Sequence, residues 1–190
     1  MISLLFNSMA GYAFAKLRFR NRDRMFTWLI AALAIPAQVA MLPLFLELKA
    51  LGLVNTYVGA MIPLMATIYG IFLVRQFMVF VPDDVIAAAR IDGASEWRID
   101  RFIILPLARP VLATLAIFTF MSAWNDFMWP LIIPSAQRKY TLPVAIANLV
   151  GEHVQDLELM MASSVMTVIP VLVLFFVLQK QYMPDLWLEV

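Results

Sequence analysis

Three stretches of the chain, 25–46, 50–74 and 159–178, run for at least twenty residues without an Asp, Glu, Lys or Arg. About 20 apolar residues in a helix, rising 1.5 Å each, cross the ~30 Å hydrocarbon core of a bilayer. A fourth stretch, 110–125, is shorter before Asp126 interrupts it. A fifth, 2–15, reaches about 21 Å as a helix and reads as the inner part of a spanning helix. None of these runs alternates with period two, and open sheet edges are not viable in lipid. The expectation is an all-α polytopic transmembrane helical bundle: four full spanning helices, a partial first one, and a single domain over 1–190. Pro36, Pro43, Pro63 and Pro170 fall inside the apolar runs. Membrane helices tolerate proline, so kinks are expected there.

Composition removes several function classes. The chain is 63% hydrophobic and 14% charged, against about half and a quarter in soluble domains. A net charge of +1 makes no case for nucleic acid. No cysteine is present, so disulfides and thiolate metal sites are excluded. No phosphate-binding P-loop, zinc-protease motif or nucleophile elbow is found, so no cofactor is expected and the chain reads as a non-enzyme. A lone His153 beside Glu152, Asp156 and Glu158 fits a polar outer loop better than a cation site. The apolar N-terminal segment has no basic residues before it, which argues against a cleaved signal peptide.

Lys and Arg fix the expected orientation. With 16–24 on the cytoplasmic side, alternation places 75–109 and the C-terminus inside, and 47–57 and 126–158 outside. The inside set is then Lys16, Arg18, Arg20, Arg22, Arg24, Arg75, Arg90, Arg98, Arg101, Arg109 and Lys180, eleven in all. The outside set is Lys49, Arg138 and Lys139, three in all. Positive residues favour the inside, so this topology is preferred to its inverse. Arg75 and Arg109 are expected to reach the inner headgroups. Asn125 and Asp126, near the outer end of a span, are either solvated or functional.

The segment 81–106 is too polar to span and too patterned for a simple turn. Pro82 with Asp83 and Asp84 starts a helix. Val85 to Asp92, with three consecutive alanines, has high helix propensity. Gly93 ends it in a left-handed turn. Ser95 caps a second short helix, over 96–103, which Leu105-Pro106 breaks. Small alanines leave room for a partner's close approach. The residues alone equally allow a helix pair that only lies on the headgroups.

The spacing Ala87-Ala88-Ala89, three residues, Gly93, nine residues, Ile103, one residue, Leu105-Pro106 resembles the EAA loop of permease subunits in binding-protein-dependent ABC importers. The family pattern has Glu where this chain has Ala87. Ala10-Gly11-Tyr12-Ala13-Phe14-Ala15 with the basic loop after it resembles the family's second spanning helix. Ala89-Arg90-Ile91-Asp92-Gly93-Ala94-Ser95-Glu96, Ala123-Trp124-Asn125-Asp126-Phe127 and Tyr140-Thr141-Leu142-Pro143 are similar to the maltose-type, carbohydrate-transporting branch.

The resemblance implies a permease of the cell inner membrane that imports a sugar or oligosaccharide. Its implied partners are two ATP-binding ABC subunits that hydrolyse ATP, a second permease subunit, an extracytoplasmic solute-binding protein and membrane lipid. The ATPase-coupling residues would be Ala87, Ala88, Ala89, Arg90, Asp92, Gly93, Ile103, Leu105 and Pro106. Trp124, Asn125 and Asp126 would be candidates for the substrate pathway. Family members usually have six spans and a Gly-containing tail, so the comparison also implies an N-terminally truncated chain with an altered C-terminus. A secondary transporter and a truncated, non-functional permease fragment stay open as alternatives; no charged residue lies mid-span to bind a coupling ion.

Overall fold

A computed structural model describes residues 1–133, 137–152 and 157–182. His153, Asp156 and the C-terminal residues 183–190 lie outside the described residues. Every regular element among those described is helical. In chain order these are α1 (Ile2–Lys16), α2 (Arg22–Ala31), α3 (Ala37–Ala50), α4 (Tyr57–Met65), α5 (Ile68–Val79) and α6 (Asp83–Ile91). There follow α7 (Glu96–Ile99), a π turn (Asp100–Ile104), α8 (Leu105–Leu107), α9 (Arg109–Asn125), α10 (Met128–Ile132), α11 (Leu142–Glu152) and α12 (Leu157–Tyr182).

The apolar runs are helical, with ends and breaks that differ from those expected. The 25–46 run is broken: Pro36 disfavours helical backbone at the residue before it, and Ile35 is extended at φ −85°, ψ 118°. The 50–74 run begins late. Gly52 and Asn55 are both left-handed, at φ 69° and 61°, so 51–56 is a loop. The Thr56 hydroxyl then accepts from the Gly59 amide and starts α4. Among the described residues, one stretch, Tyr57–Val79, suffices by length and composition to cross a membrane, and up to three do so if each broken pair counts as one span. Pro43, Pro63 and Pro170 lie within helices, as expected.

The chain forms two compact units. The first contains 1–37 and 63–116. Its frame is the contact of α1 with α5, where two glycines remove the side chains that would hold the helices apart. A Cβ on Gly11 would come within 2.6 Å of Val74 Cγ1, and one on Gly70 within 2.6 Å of Asn7 Oδ1. Small residues at a helix contact allow such approach in membrane proteins. Asn7, fully buried, is satisfied on both sides. Its amide donates to the Ser3 carbonyl at 2.7 Å, and its oxygen accepts from the Thr67 amide at 3.0 Å. Around this contact Tyr12, Val74, Met78, Ile86, Ile99, Ile104 and Leu115 form one apolar core.

The last carbonyls of α1 have no partners within the helix, and two arginines supply them. Arg75 Nε donates to the Phe14 carbonyl at 3.3 Å, and its guanidinium lies 3.9 Å from the Phe26 ring centroid. Arg22 donates to the carbonyls of Ala15 and Leu17. Arg75, expected at the headgroups, is thus held by protein: a flat cation over an aromatic face is attracted to it.

The second unit contains 38–62 and 117–190. Its core is Leu48, Trp129 and Ile133, packed by Leu44, Phe45 and Leu53 among others. Trp129 Nε1 donates to the Gly59 carbonyl at 3.3 Å, and the Asn55 amide donates to the Ile133 carbonyl at 2.9 Å. Lys139 Nζ donates to the Asn55 carbonyl.

The α1–α5 contact leaves no room for a methyl group. Gly11→Ala and Gly70→Ala are each expected to destabilise the protein by about 1–3 kcal/mol. Thermal unfolding in detergent checks this as a lowered midpoint for each variant.

Candidate functional site

The segment 81–106 belongs to the first unit and is built as a short helix, a turn and a second helix. In α6, Ile86 and Ala89 are buried, while Ala87, Ala88, Arg90 and Ile91 are exposed. The three-residue spacing of Ile86 and Ala89 puts them on one face, which enters the core. The opposite face, with Asp84, Ala87, Ala88 and Ile91, is left open. After α6 the chain turns at Gly93, φ 77°. The Gly93 amide donates to the Arg90 carbonyl and the Ala94 amide to the Ala89 carbonyl, both at 3.0 Å. This is the paired closure that a left-handed residue after a helix permits. Asp92 is the last residue before it. The Ser95 hydroxyl then accepts from the Arg98 amide and caps α7, as the sequence predicts.

Two expectations about this segment change. Asp83 and Asp84 were expected to cap α6, but no side-chain cap bond is formed at its start. Asp83 accepts instead from Lys16 Nζ at 2.5 Å. Nor does the helix break at Leu105-Pro106. It runs through the π turn and α8 to Leu107, and bends by 83° where α9 begins. The reason is local. Proline lacks an amide proton, and the wider turn shifts the pattern so that the Leu105 amide donates to the Asp100 carbonyl, five residues back. Pro106 is thereby carried inside the helix. Ile103 is half-buried against the core.

Three of the segment's charges, Asp83, Arg90 and Glu96, are paired with α1 or with each other. Tyr12 Oη donates to Glu96 Oε2 at 2.6 Å, and Arg90 Nε donates to Glu96 Oε1 at 2.8 Å. Lys16 Nζ also donates to the Val81 carbonyl at 2.6 Å. The hydrogen bond from Arg90 holds the Glu96 carboxyl below the usual carboxylate range. The bond from Lys16 does the same for Asp83. Asp100 is the opposite case. It is 3% exposed, and neither carboxylate oxygen has a hydrogen-bond partner among the described residues. Burial pushes its carboxyl up.

A cleft of about 880 Å³ lies between 15–22 and α6, lined among others by Lys16, Arg18, Arg22, Asp83, Ala87, Arg90 and Glu96. Ala87, where the EAA pattern has Glu, therefore borders a wall that already carries cations. From the sequence, Tyr12 stands only within the motif over 10–15 and Lys16 only among the inside cations, neither as a site residue. Their signal was a four-residue spacing, which places both on one face of α1.

Trp124, Asn125 and Asp126 lie in the second unit at the end of α9. Trp124 stacks on Phe120 at 5.6 Å and donates to the Thr167 carbonyl at 3.1 Å. Asp126 accepts from the Trp129 amide at 3.3 Å, which closes the turn into α10. Asn125 is exposed.

Residues 7–187 match the family described as binding-protein-dependent transport system inner membrane component. Among curated proteins, the chain is 38% identical to an arabinooligosaccharides transport system permease protein of Halalkalibacterium halodurans. That match covers 98% of this chain and 67% of the relative. It is 32% identical to a lactose transport system permease protein of Rhizobium radiobacter, over 95% of this chain and 66% of the relative. It is 34% identical to an sn-glycerol-3-phosphate transport system permease protein of Salmonella typhi, over 94% and 64%. The chain thus spans about two thirds of the length of these relatives. Among solved structures, a chain of a bacterial ABC transporter involved in the import of the acidic polysaccharide alginate superposes with a TM-score of 0.80 at 28% identity. That superposition covers 94% of this chain and 68% of the other.

Asp100 and the Glu96 pair give opposite pH dependences. A carboxyl whose pKa is raised by folding adds stability at low pH and loses it as pH rises through the folded pKa. Asp100→Asn is therefore expected to be more stable than the parent at pH 7–8, by about 1–3 kcal/mol. The gain should shrink as pH falls toward the ordinary carboxylate range near 4. Glu96 has a lowered pKa, so its contribution is present above the ordinary range and is lost as pH falls through the folded value. Thermal midpoints of Asp100→Asn and Glu96→Gln between pH 3.5 and 8 check both signs.

Proposed function

Because the chain belongs to the family of inner membrane components of binding-protein-dependent transport systems, we propose that it is a permease subunit of an ATP-driven importer for a sugar or oligosaccharide. It forms half of the pathway through the membrane and couples to the ATPase through 85–103. The relatives are permeases for arabinooligosaccharides, lactose and glycerol 3-phosphate, which supports a polyhydroxylated, carbohydrate-like solute. ATP is hydrolysed on separate subunits, two copies per transporter. A second permease subunit completes the pore, and an extracytoplasmic solute-binding protein delivers the solute.

In this reading α2 with α3, α4 with α5, α9 and α12 are the four full spans, and α1 is the partial first one. Segments 16–24 and 75–109 and the C-terminus face the cytoplasm, in keeping with eleven Lys and Arg inside against three outside.

One observation carries the coupling assignment: α6 is half in and half out. Its Ile86 and Ala89 are anchored in the core of the unit, while Ala87, Ala88 and Ile91 stand exposed on its far side. Ile91 is a large apolar residue left 86% exposed at the end of the helix. A surface of small side chains around one apolar knob suits a shallow cleft on a soluble partner, and the buried face ties any push on it to the helices behind. Arg90, Asp92 and Gly93 set the turn that orients this surface, and Ile103, Leu105 and Pro106 join it to α9. Trp124, Asn125 and Asp126 are assigned to the solute pathway: Asn125 is exposed, Asp126 closes the turn after it, and Trp124 is held by the Thr167 carbonyl.

Co-purification tests the docking surface. The chain is expected to bring down a P-loop ATPase from its native membranes. Ala88→Glu is expected to reduce that recovery by at least about tenfold, as a charge facing an apolar contact costs roughly 1.4 kcal/mol or more. Thermal stability should stay unchanged, because Ala88 is exposed. Undiminished ATPase recovery with Ala88→Glu, or uptake driven by an ion gradient without ATP, sinks the assignment.

A further inference from the structure

The segment 81–106 is covalently continuous with α9, yet its polar bonds run to α1. Two of them bracket α6. At its start, Lys16 Nζ donates to the Val81 carbonyl and to Asp83. The Lys16 side chain is only 7% exposed, so this cation is held in the protein and not loosely on its surface. At the other end, Tyr12 Oη donates to Glu96, which also accepts from Arg90 in the last turn of α6. Tyr12 and Lys16 are one helical turn apart, so a single face of α1 grips both ends of the short helix.

The route to α9 is built differently. It passes through the π turn at Asp100–Ile104, where the Asp100 carboxylate is buried with no hydrogen-bond partner among the described residues, and then through the 83° bend before α9. A π turn and a sharp bend are places where a helix yields. Behind α1 the coupling is stiff again, because Gly11 and Gly70 seat α1 against α5 with no clearance.

We infer that Tyr12 and Lys16 are positioning residues that tie the docking segment to α1, so that motion of the segment is handed to α1 and α5, while its covalent link to α9 passes through a hinge. This rests on the docking reading of α6. Their hydrogen bonds go to Val81, Asp83 and Glu96 and not to Ala88 or Ile91, so their loss should spare docking and spoil transmission. Tyr12→Phe removes one hydroxyl and leaves a ring that is already buried at 3% exposure.

The experiment uses the assembled transporter with its ATPase and binding protein in proteoliposomes. For Tyr12→Phe the expected result is unchanged ATPase recovery, retained ATP hydrolysis, and about a tenfold fall in solute transported per ATP. That is the scale expected for losing a hydrogen bond to a charged group. Because the chain has no cysteine, the tie can also be replaced covalently. The double variant Tyr12→Cys, Glu96→Cys should be uncoupled as isolated and regain transport when the two thiols are joined by a short bis-maleimide.

The inference is overturned by unchanged transport per ATP in Tyr12→Phe, by loss of ATPase binding or of hydrolysis in that variant, or by a cross-link that fails to restore transport. Failure of the parent chain to retain an ATPase is a separate result. It overturns the docking reading, and this inference with it, before any variant is compared.

Discussion

The close seating of α1 on α5 governs the rest of the first unit. Two helices ordinarily keep 8–10 Å between their axes because side chains fill the gap. Here Gly11 and Gly70 supply no side chain at the contact, and Asn7 bridges it with bonds to Ser3 and Thr67. The seat fixes where the end of α1 lies, and Tyr12 and Lys16 project from there toward 81–106. Arg75 on α5 returns the constraint by closing the Phe14 carbonyl. The contact needs little apolar area to be specific. In lipid, tight packing and satisfied polar groups favour helix association where the hydrophobic effect does not.

A consequence is that several charges are paired around the end of α1. The Tyr12, Glu96 and Arg90 set and the Lys16 and Asp83 pair replace water for groups at the rim of an apolar body. The α6 pairs are partly exposed and add little stability on their own. Their value lies in geometry: they hold a nine-residue helix, too short to be stable alone, in one orientation. Asp100 stands apart as a buried carboxyl with no bond among the described residues, at the one place in the segment where the helix is wound differently. Strain and unsatisfied groups gather where a structure must yield.

Membership of the transport family and the coupling role of α6 stand on different supports. The first follows from similarity along nearly the whole chain and from a superposition at a TM-score of 0.80. The second follows from a helix with one buried and one open face, read together with the EAA-like spacing. The departure at Ala87 also takes on a physical meaning. The position borders a cleft with four cations, so a carboxylate there would have had basic neighbours within its own chain as well as any on a partner.

The sequence by itself determined that the chain is helical and membrane-embedded, because length and apolarity of a run are local properties that bilayer thickness converts directly into a span. It also determined the turn at Gly93 and the cap at Ser95, since each depends on a single residue's backbone freedom or hydroxyl. Span ends were less legible. Pro36, Gly52 and Asn55 act on backbone conformation, and a hydropathy reading does not weigh them. Only the tertiary structure decided what Tyr12, Lys16, Asp83 and Arg75 do. Their partners are 60 or more residues away in the chain, and nothing in a local pattern says which distant carbonyl or carboxylate a long side chain will meet. The same holds for Pro106, which becomes part of a helix because a wider turn before it removes the need for its missing amide.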